Sequence, residues 1–279
     1  MSGPIVVCVI NLKGGVGKST ICALLARHGY TRRALNVLAV DLDPQANLSQ
    51  GLLRDRYATF LTSKEPSIVE IFNGYIPPSS KSPSPSPIPP EDIGMTIASI
   101  GDRSLQIIPS RFDFSDALLG AIRPDPRMLA RYLTKHYKKK DIIFIDCSPT
   151  ESVLTTAAYH ASNQVLIPVK PEFFATIGFP LLSDSMGSFL KKNRSHSLEV
   201  CGVVVNNPFY DGGNDGGPEK SAAMASIKDD AKKNGWKIYR NQILHSRGYP
   251  KLMRGNSTHL GNAELFSRFA NEFIDDIGL

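Results

Sequence analysis

Lys13-Gly14-Gly15-Val16-Gly17-Lys18-Ser19-Thr20 stands directly behind the run Ile5-Val6-Val7-Cys8-Val9-Ile10. The earlier run is continuously apolar, as expected of a strand buried on both faces of a parallel sheet. The later stretch is a glycine-rich turn, and Thr20 to His28 then reads as a helix. Glycines let consecutive backbone N–H groups converge on one anion, and the helix that follows adds its positive N-terminal end. Strand, glycine turn and helix, with a lysine and a hydroxyl at the join, are the ordered parts of a phosphate loop. Residues 13–20 are therefore expected to cradle a nucleotide's phosphates. Lys18 is expected to reach the β- and γ-phosphates, and the Ser19 hydroxyl to ligate Mg²⁺.

Working outward, Asn36 to Val40 reads as a second buried strand ending at Asp41. Ile142 to Ile145 gives another, ending at Asp146, and Val165–Pro168 and Val200–Val205 give two more. Helical segments fall between them at Ser115–Ile122, Met128–Tyr137, Val153–Ala161 and Gly178–Leu190. This alternation predicts the α/β class: a doubly wound, mostly parallel sheet flanked by helices. Met95 to Ile108 reads as a hairpin around Gly101-Asp102, an antiparallel addition at one edge. Pro77 to Pro90 is rich in proline and serine and reads as an extended surface loop. Tyr210 to Pro218 is rich in Gly, Asp and Asn and reads as a mobile loop. Neither separates domains, so residues 1–279 are expected to form one domain with an insertion at about 77–90.

Cys8, Cys22, Cys147 and Cys201 are far apart, each in an apolar stretch, and read as small buried hydrophobes in a reducing compartment. No stretch approaches the ~18 apolar residues of a membrane span. The expectation is a cytoplasmic protein. Net charge is +6, and it is uneven: Lys191 to Arg254 holds twelve Lys/Arg against six Asp/Glu. A basic region of this kind suits a polyanion partner or an ordinary solvated surface.

Asp41-Leu42-Asp43-Pro44-Gln45-Ala46-Asn47 continues the second strand. Two carboxylates at the carboxyl end of a buried strand lie where such sheets bind ligands; turn capping is the plainer alternative. Asp146, closing Ile142-Ile143-Phe144-Ile145, would hold a Mg²⁺-bound water or the Ser19 hydroxyl, or else cap the following turn.

Leu12 occupies the place where a strict phosphate loop has glycine, and a second lysine, Lys13, stands just before the glycine pair. This combination resembles the deviant Walker A box of ParA/MinD-type ATPases. Asp41-x-Asp43-Pro44-Gln45-Ala46-Asn47, Asp146 with its following Ser-Pro-Thr, Pro109-Ser110, Pro171-Glu172-Phe173-Phe174-Ala175 and Gly202–Asn207 are similar to further family segments. Most of residues 5–270 is covered. The resemblance implies ATP and Mg²⁺ as cofactors, slow intrinsic ATP hydrolysis and a homodimer when ATP is bound. It implies that Lys13 reaches the partner subunit's nucleotide, as an arginine finger does in trans, that Asp43 orients the attacking water beside Lys18, and that Asp41 supports Mg²⁺ through water. Asn206 is implied at the adenine ring.

With the first strand starting at residue 5, the chain resembles the small subgroup without an N-terminal helix-turn-helix. That subgroup implies nonspecific DNA binding and a nucleoid location, through Lys228, Lys232, Lys233, Lys237, Arg240, Arg247, Lys251 and Arg254. Arg127, Arg131, Lys135, Lys138, Lys139 and Lys140 form a second basic set. The implied cargo is a plasmid or chromosome, with a ParB-like adaptor that stimulates hydrolysis. Positioning of a protein organelle such as a carboxysome, a MinD-like regulator and an ATP-dependent carboxylate ligase on the same scaffold are the alternatives. The acidic tail, with Glu272, Asp275 and Asp276, is unlike a basic membrane anchor.

Overall fold

The computed structural model describes residues 3–63, 65–73, 93–112, 114, 125–172, 178–206, 217–255 and 260–279. The strands are β1 (Ile5–Val9), β2 (Val37–Asp41), β3 (Met95–Ile100), β4 (Arg103–Ile108), β5 (Ile142–Asp146), β6 (Gln164–Val169) and β7 (Glu199–Val205). The helices are α1 (Lys18–Arg32), α2 (Asn47–Leu53), α3 (Arg56–Thr62), α4 (Ile68–Asn73), α5 (Met128–His136), α6 (Val153–Ala161), α7 (Gly178–Lys192), α8 (Gly217–Lys233), α9 (Tyr249–Met253) and α10 (Leu260–Asp276).

The strands form one sheet in the order β3-β4-β2-β5-β1-β6-β7. All neighbours are parallel except β3 on β4. Of the expected edge hairpin, only β3 runs against the sheet, because β4 pairs parallel with β2. β2 and β5 are buried along their whole length, as a central position in a covered sheet demands. Alternate side chains feed two cores. Val6, Cys8 and Ile10 point into one, with residues of α4 to α8. Val7 and Val9 point into the other, with α1, α2, α9 and α10. All four cysteines are buried and free.

Several boundaries differ from the sequence reading. α1 runs from Lys18 to Arg32, longer at both ends than Thr20–His28. α7 extends to Lys192. Gly217 and Pro218, assigned to a loop, open α8; proline in a first helical turn removes an N–H that has no partner anyway. The rest of the Tyr210–Pro218 loop, the Pro/Ser stretch 77–90 and the helix expected at Ser115–Ile122 lie outside the described residues.

α10 carries the C-terminal segment into the core. Phe266, Phe269, Phe273 and Ile274 are buried, and the Phe273 ring lies 6.2 Å from that of Phe144 on β5. Three of its acids are engaged by the same chain. Glu272 accepts the backbone N–H groups of Arg240 and Asn241, Asp275 pairs with Arg33, and Asp276 pairs with Lys237. The helix's apolar face is thus used internally. Among the described residues no helix is long and apolar enough to cross a membrane.

Phe273→Ala deletes a wholly buried ring between β5 and α10 and is expected to lower the unfolding free energy by about 3–5 kcal/mol. Urea titration followed by circular dichroism measures it; a loss below about 1 kcal/mol would mean that α10 is not part of the core.

Candidate functional site

The register lines up the ends of three adjacent strands. Asp146 sits opposite Val9 on β1 and opposite Asp41 on β2. The glycine loop and both acidic segments therefore meet at one edge, where parallel sheets take ligands.

Gly17, in the left-handed region at φ 93°, starts α1 without a side-chain cap, and α1 has no acid in its first turn. Contrast α6, where Ser152 accepts the N–H of Leu154. The uncapped first turn of α1 leaves backbone donors and a positive helix end directed at the loop. A Cβ on Gly14 or Gly15 would meet nothing within 4 Å, so these two line open space. A Cβ on Gly17 would lie 2.5 Å from Asn206 Nδ2.

Two asparagines brace the loop. Asn11 is buried; its amide donates to Pro168 O at 2.8 Å, and its Oδ1 accepts from Lys13 N at 2.9 Å. Asn206 donates from Nδ2 to Val16 O at 2.9 Å. The residue implied at the adenine ring therefore holds the phosphate loop from beneath. Asn11 escaped the sequence reading; only its position at the strand-to-turn junction could have signalled it.

Lys18 is 6% exposed, and its Nζ donates to Asn11 O at 3.0 Å and Lys13 O at 3.1 Å. Burial lowers its pKa, against the opposing pull of Asp146, Cys147 and Asp43. The ammonium sits over loop carbonyls that a phosphate could replace as its partner.

The three carboxylates differ in their surroundings. Asp146 is wholly buried, and neither oxygen has a hydrogen-bond partner among the described residues. Burial and the neighbouring Asp41 and Asp43 push its pKa well up; Ser19, near but without a completed bond, and Lys18 pull it down. An orphaned carboxylate beside Ser19 at an open anion cradle fits a Mg²⁺-nucleotide. Asp41 is also wholly buried, yet Oδ2 accepts Ser49 N at 2.7 Å and Ser49 Oγ at 2.6 Å, while Oδ1 accepts Asp43 N at 3.2 Å. Its direct role is to organise the turn after β2, and burial still holds its pKa above the usual carboxylate range. Asp43 faces a cavity of about 500 Å³ shared with Gly15, Lys18, Ser19, Thr20 and Met253. Met253, from α9, was not singled out from sequence, because that helix is only five residues long.

Lys13 lies at the rim. Its ammonium bonds Glu172 Oε2 of the same chain at 2.9 Å. The sequence reading assigned Lys13 to a partner subunit and gave Glu172 no role.

The basic candidates do not form one patch on the subunit. Lys228, Lys232 and Lys233 ride on α8, whose Ile227 and Ala231 pack into the core on one face of the sheet. Arg247, Lys251 and Arg254 flank or lie on α9, whose Tyr249 and Met253 belong to the opposite core. Arg240 adjoins α10 through Glu272. All seven side chains are exposed. In the second set, Lys140 is no surface cation. It is 7% exposed, its Nζ donates to Asn36 Oδ1 and Ser104 Oγ at 2.8 Å each, and burial lowers its pKa to about 8.

A family described as an AAA domain matches residues 5–200. The chain is 28% identical over 203 residues to the chromosome partitioning protein ParA of Myxococcus xanthus, covering 72% of this chain and 64% of that one. It is 28% identical over 204 residues to the sporulation initiation inhibitor protein Soj of Bacillus subtilis, covering 72% and 71%. The match to an uncharacterised Mycobacterium tuberculosis relative, 30% identical over 204 residues, spans only 57% of that protein's length. In fold, the chain is similar to a Cyanothece McdA–ATP complex, with a TM-score of 0.77 at 21% identity over 100% of this chain and 98% of the other. It is also similar in fold to a Mycobacterium smegmatis cobyrinic acid a,c-diamide synthase with ADP and magnesium, with a TM-score of 0.69 at 21% identity over 96% and 93%.

Gly17→Ala places a side chain in a left-handed backbone and against Asn206, forcing the loop open by about 1–2 kcal/mol or more. ATP affinity, read by calorimetry, is expected to fall by about tenfold or more with the circular dichroism spectrum unchanged. Wild-type affinity in the variant would show that the loop does not grip phosphate through this geometry.

Proposed function

This chain belongs to the ParA/MinD-type ATPases of the AAA-domain family, and on that premise we propose that it is an ATP-dependent dimerising switch. In the ATP state it binds DNA without sequence preference and positions a plasmid or chromosome through a ParB-like adaptor, which triggers hydrolysis. The observation that carries this reading is the pair of lysines on one glycine loop: Lys18 folded inside it, Lys13 at its rim.

On ATP binding Lys18 exchanges the carbonyls of Asn11 and Lys13 for phosphate oxygens. Ser19 and Asp146 would hold Mg²⁺, which would supply charge neutralisation along the phosphates. The first-turn amides of α1 receive the anion. Asp43, in the wall of the cavity, orients the attacking water as acceptor of its proton. Lys13 leaves Glu172 for the partner subunit's nucleotide, which makes dimerisation and hydrolysis one linked event. Phosphate-state cycling then drives a two-state element.

Met253 lines the nucleotide cavity, and Lys251 and Arg254 stand beside it in the chain. We therefore assign the α9 set, Arg247, Lys251 and Arg254, as the DNA-facing cations ahead of the α8 set. Phosphate contacts of this kind carry no sequence information.

Asp43→Ala is expected to bind ATP, fail to hydrolyse it and accumulate as a dimer, read by light scattering after gel filtration with Mg-ATP. An ATP-bound monomer would refute the role given to Asp43.

DNA binding is expected with ATP and not with ADP. Three contacts per protomer make about six in the dimer, so affinity should fall roughly 10³-fold between about 50 and 200 mM salt. Arg254→Glu should weaken it at unchanged ATP affinity, and Lys232→Glu should change it little. The reverse ranking, from fluorescence anisotropy on a random duplex, would move the interface to α8.

A further inference from the structure

We propose that Ser49 is a positioning residue for Asp43: its hydroxyl fixes the Asp41 carboxylate, and Asp41 fixes the backbone from which Asp43 faces the cavity. The inference rests on the reading of Asp43 as the residue that orients water.

Ser49 is wholly buried on α2 and does not line the cavity. Its hydroxyl donates to Asp41 Oδ2 at 2.6 Å, and its N–H donates to the same oxygen at 2.7 Å. The hydroxyl also accepts from Ser110 N at 2.9 Å, just beyond β4. With its proton given to one strand end and its lone pair to another, the group has one orientation. Asp41 cannot turn, and its second oxygen accepts the N–H of Asp43 at 3.2 Å. Asp43 in turn accepts the N–H of Gln45 at 3.0 Å, and its carbonyl accepts from Ala46 N at 2.9 Å.

That turn needs holding. Ala46 has φ 54°, in the region that an L side chain adopts only at a cost of about 1–2 kcal/mol. Residues 43–46 are a strained bend between a buried strand and a short helix. The bonds from Asp41 to Asp43 and to Ser49 tie the two sides of the bend to one carboxylate. Without the hydroxyl, Asp41 Oδ2 keeps one donor and Ser110 N loses its acceptor. The bend then has room to relax, and the Asp43 side chain moves with it. A displacement of about 1 Å at a group that orients a reactant can lower a rate about 10²-fold. Binding of the nucleotide, which Ser49 does not touch, is not affected.

The test compares Ser49→Ala, Ser49→Thr and Ser49→Val. Thr and Val share a shape and differ in the hydroxyl, so they read its role even where Ser49→Ala folds poorly. Calorimetric ATP affinity and the single-turnover hydrolysis rate at saturating Mg-ATP are measured for each, with amide hydrogen exchange over residues 43–50. Ser49→Ala and Ser49→Val are expected to hydrolyse about tenfold or more slowly at ATP affinity within about threefold of wild type, with faster exchange in the bend. Ser49→Thr is expected to stay within about threefold of wild type in both measures. A wild-type rate in Ser49→Val, or a Ser49→Thr as slow as Ser49→Val, overturns the proposal while leaving the switch reading intact. A wild-type protein that hydrolyses no ATP overturns both.

Discussion

Two carboxylates stand abreast on neighbouring buried strands, Asp41 on β2 and Asp146 on β5, each with no exposure to water. Burial pushes the pKa of both upward, and Asp41, a like charge in a low dielectric, raises that of Asp146 further. A fold keeps such a pair only where something compensates it. The two compensations differ. Asp41 is answered by protein donors, two from Ser49 and one from Asp43. Asp146 is answered by no donor among the described residues, and the Lys18 ammonium is a cation that offsets it. This asymmetry sorts the pair into one residue that builds the site and one that is available to a cation. The glycine loop, the uncapped helix and the buried lysine all converge on the edge where that imbalance lies.

Much of this was legible in the chain because buried parallel strands write themselves as continuous apolar runs. Ile5–Val9 and Ile142–Asp146 could be placed almost to the residue, and the acid that ends the second helped to locate the site. The short helices α2, α3 and α9 were not legible: at five to seven residues they carry too few turns for a helical period to stand out. Ser49 and Met253 were missed with them. Asn11 and Glu172 were missed for another reason. Their partners lie 157 and 159 positions away in the chain, and no local pattern encodes such a contact. Asn206 was singled out, and the structure places it under the loop, donating to Val16 O.

The basic residues illustrate a limit of counting charge along a sequence. Lys228 to Arg254 is one cluster in one dimension. The chain crosses from one face of the sheet to the other between Ala231 and Tyr239, so α8 and α9 belong to opposite cores. Lys140 is the sharper case. It follows two exposed lysines, yet it is drawn inward by two neutral oxygens. Lysine's long stem allows either fate, and only the packing of Asn36 and Ser104 decides it.

Lys13 and Glu172 bear on how a switch of this kind could be held open without being locked. The pair is partly exposed, with side-chain exposures of 28% and 46%. Pairs of that kind contribute about 0.2–1 kcal/mol. So small a restraint gathers the ammonium at the rim of the single subunit without locking it there. In the proposed dimer it would yield to a triphosphate of the second subunit, which offers several anionic oxygens against one carboxylate. An ion pair too weak to stabilise the fold is thus compatible with the proposed transfer of Lys13 to a second subunit's phosphates.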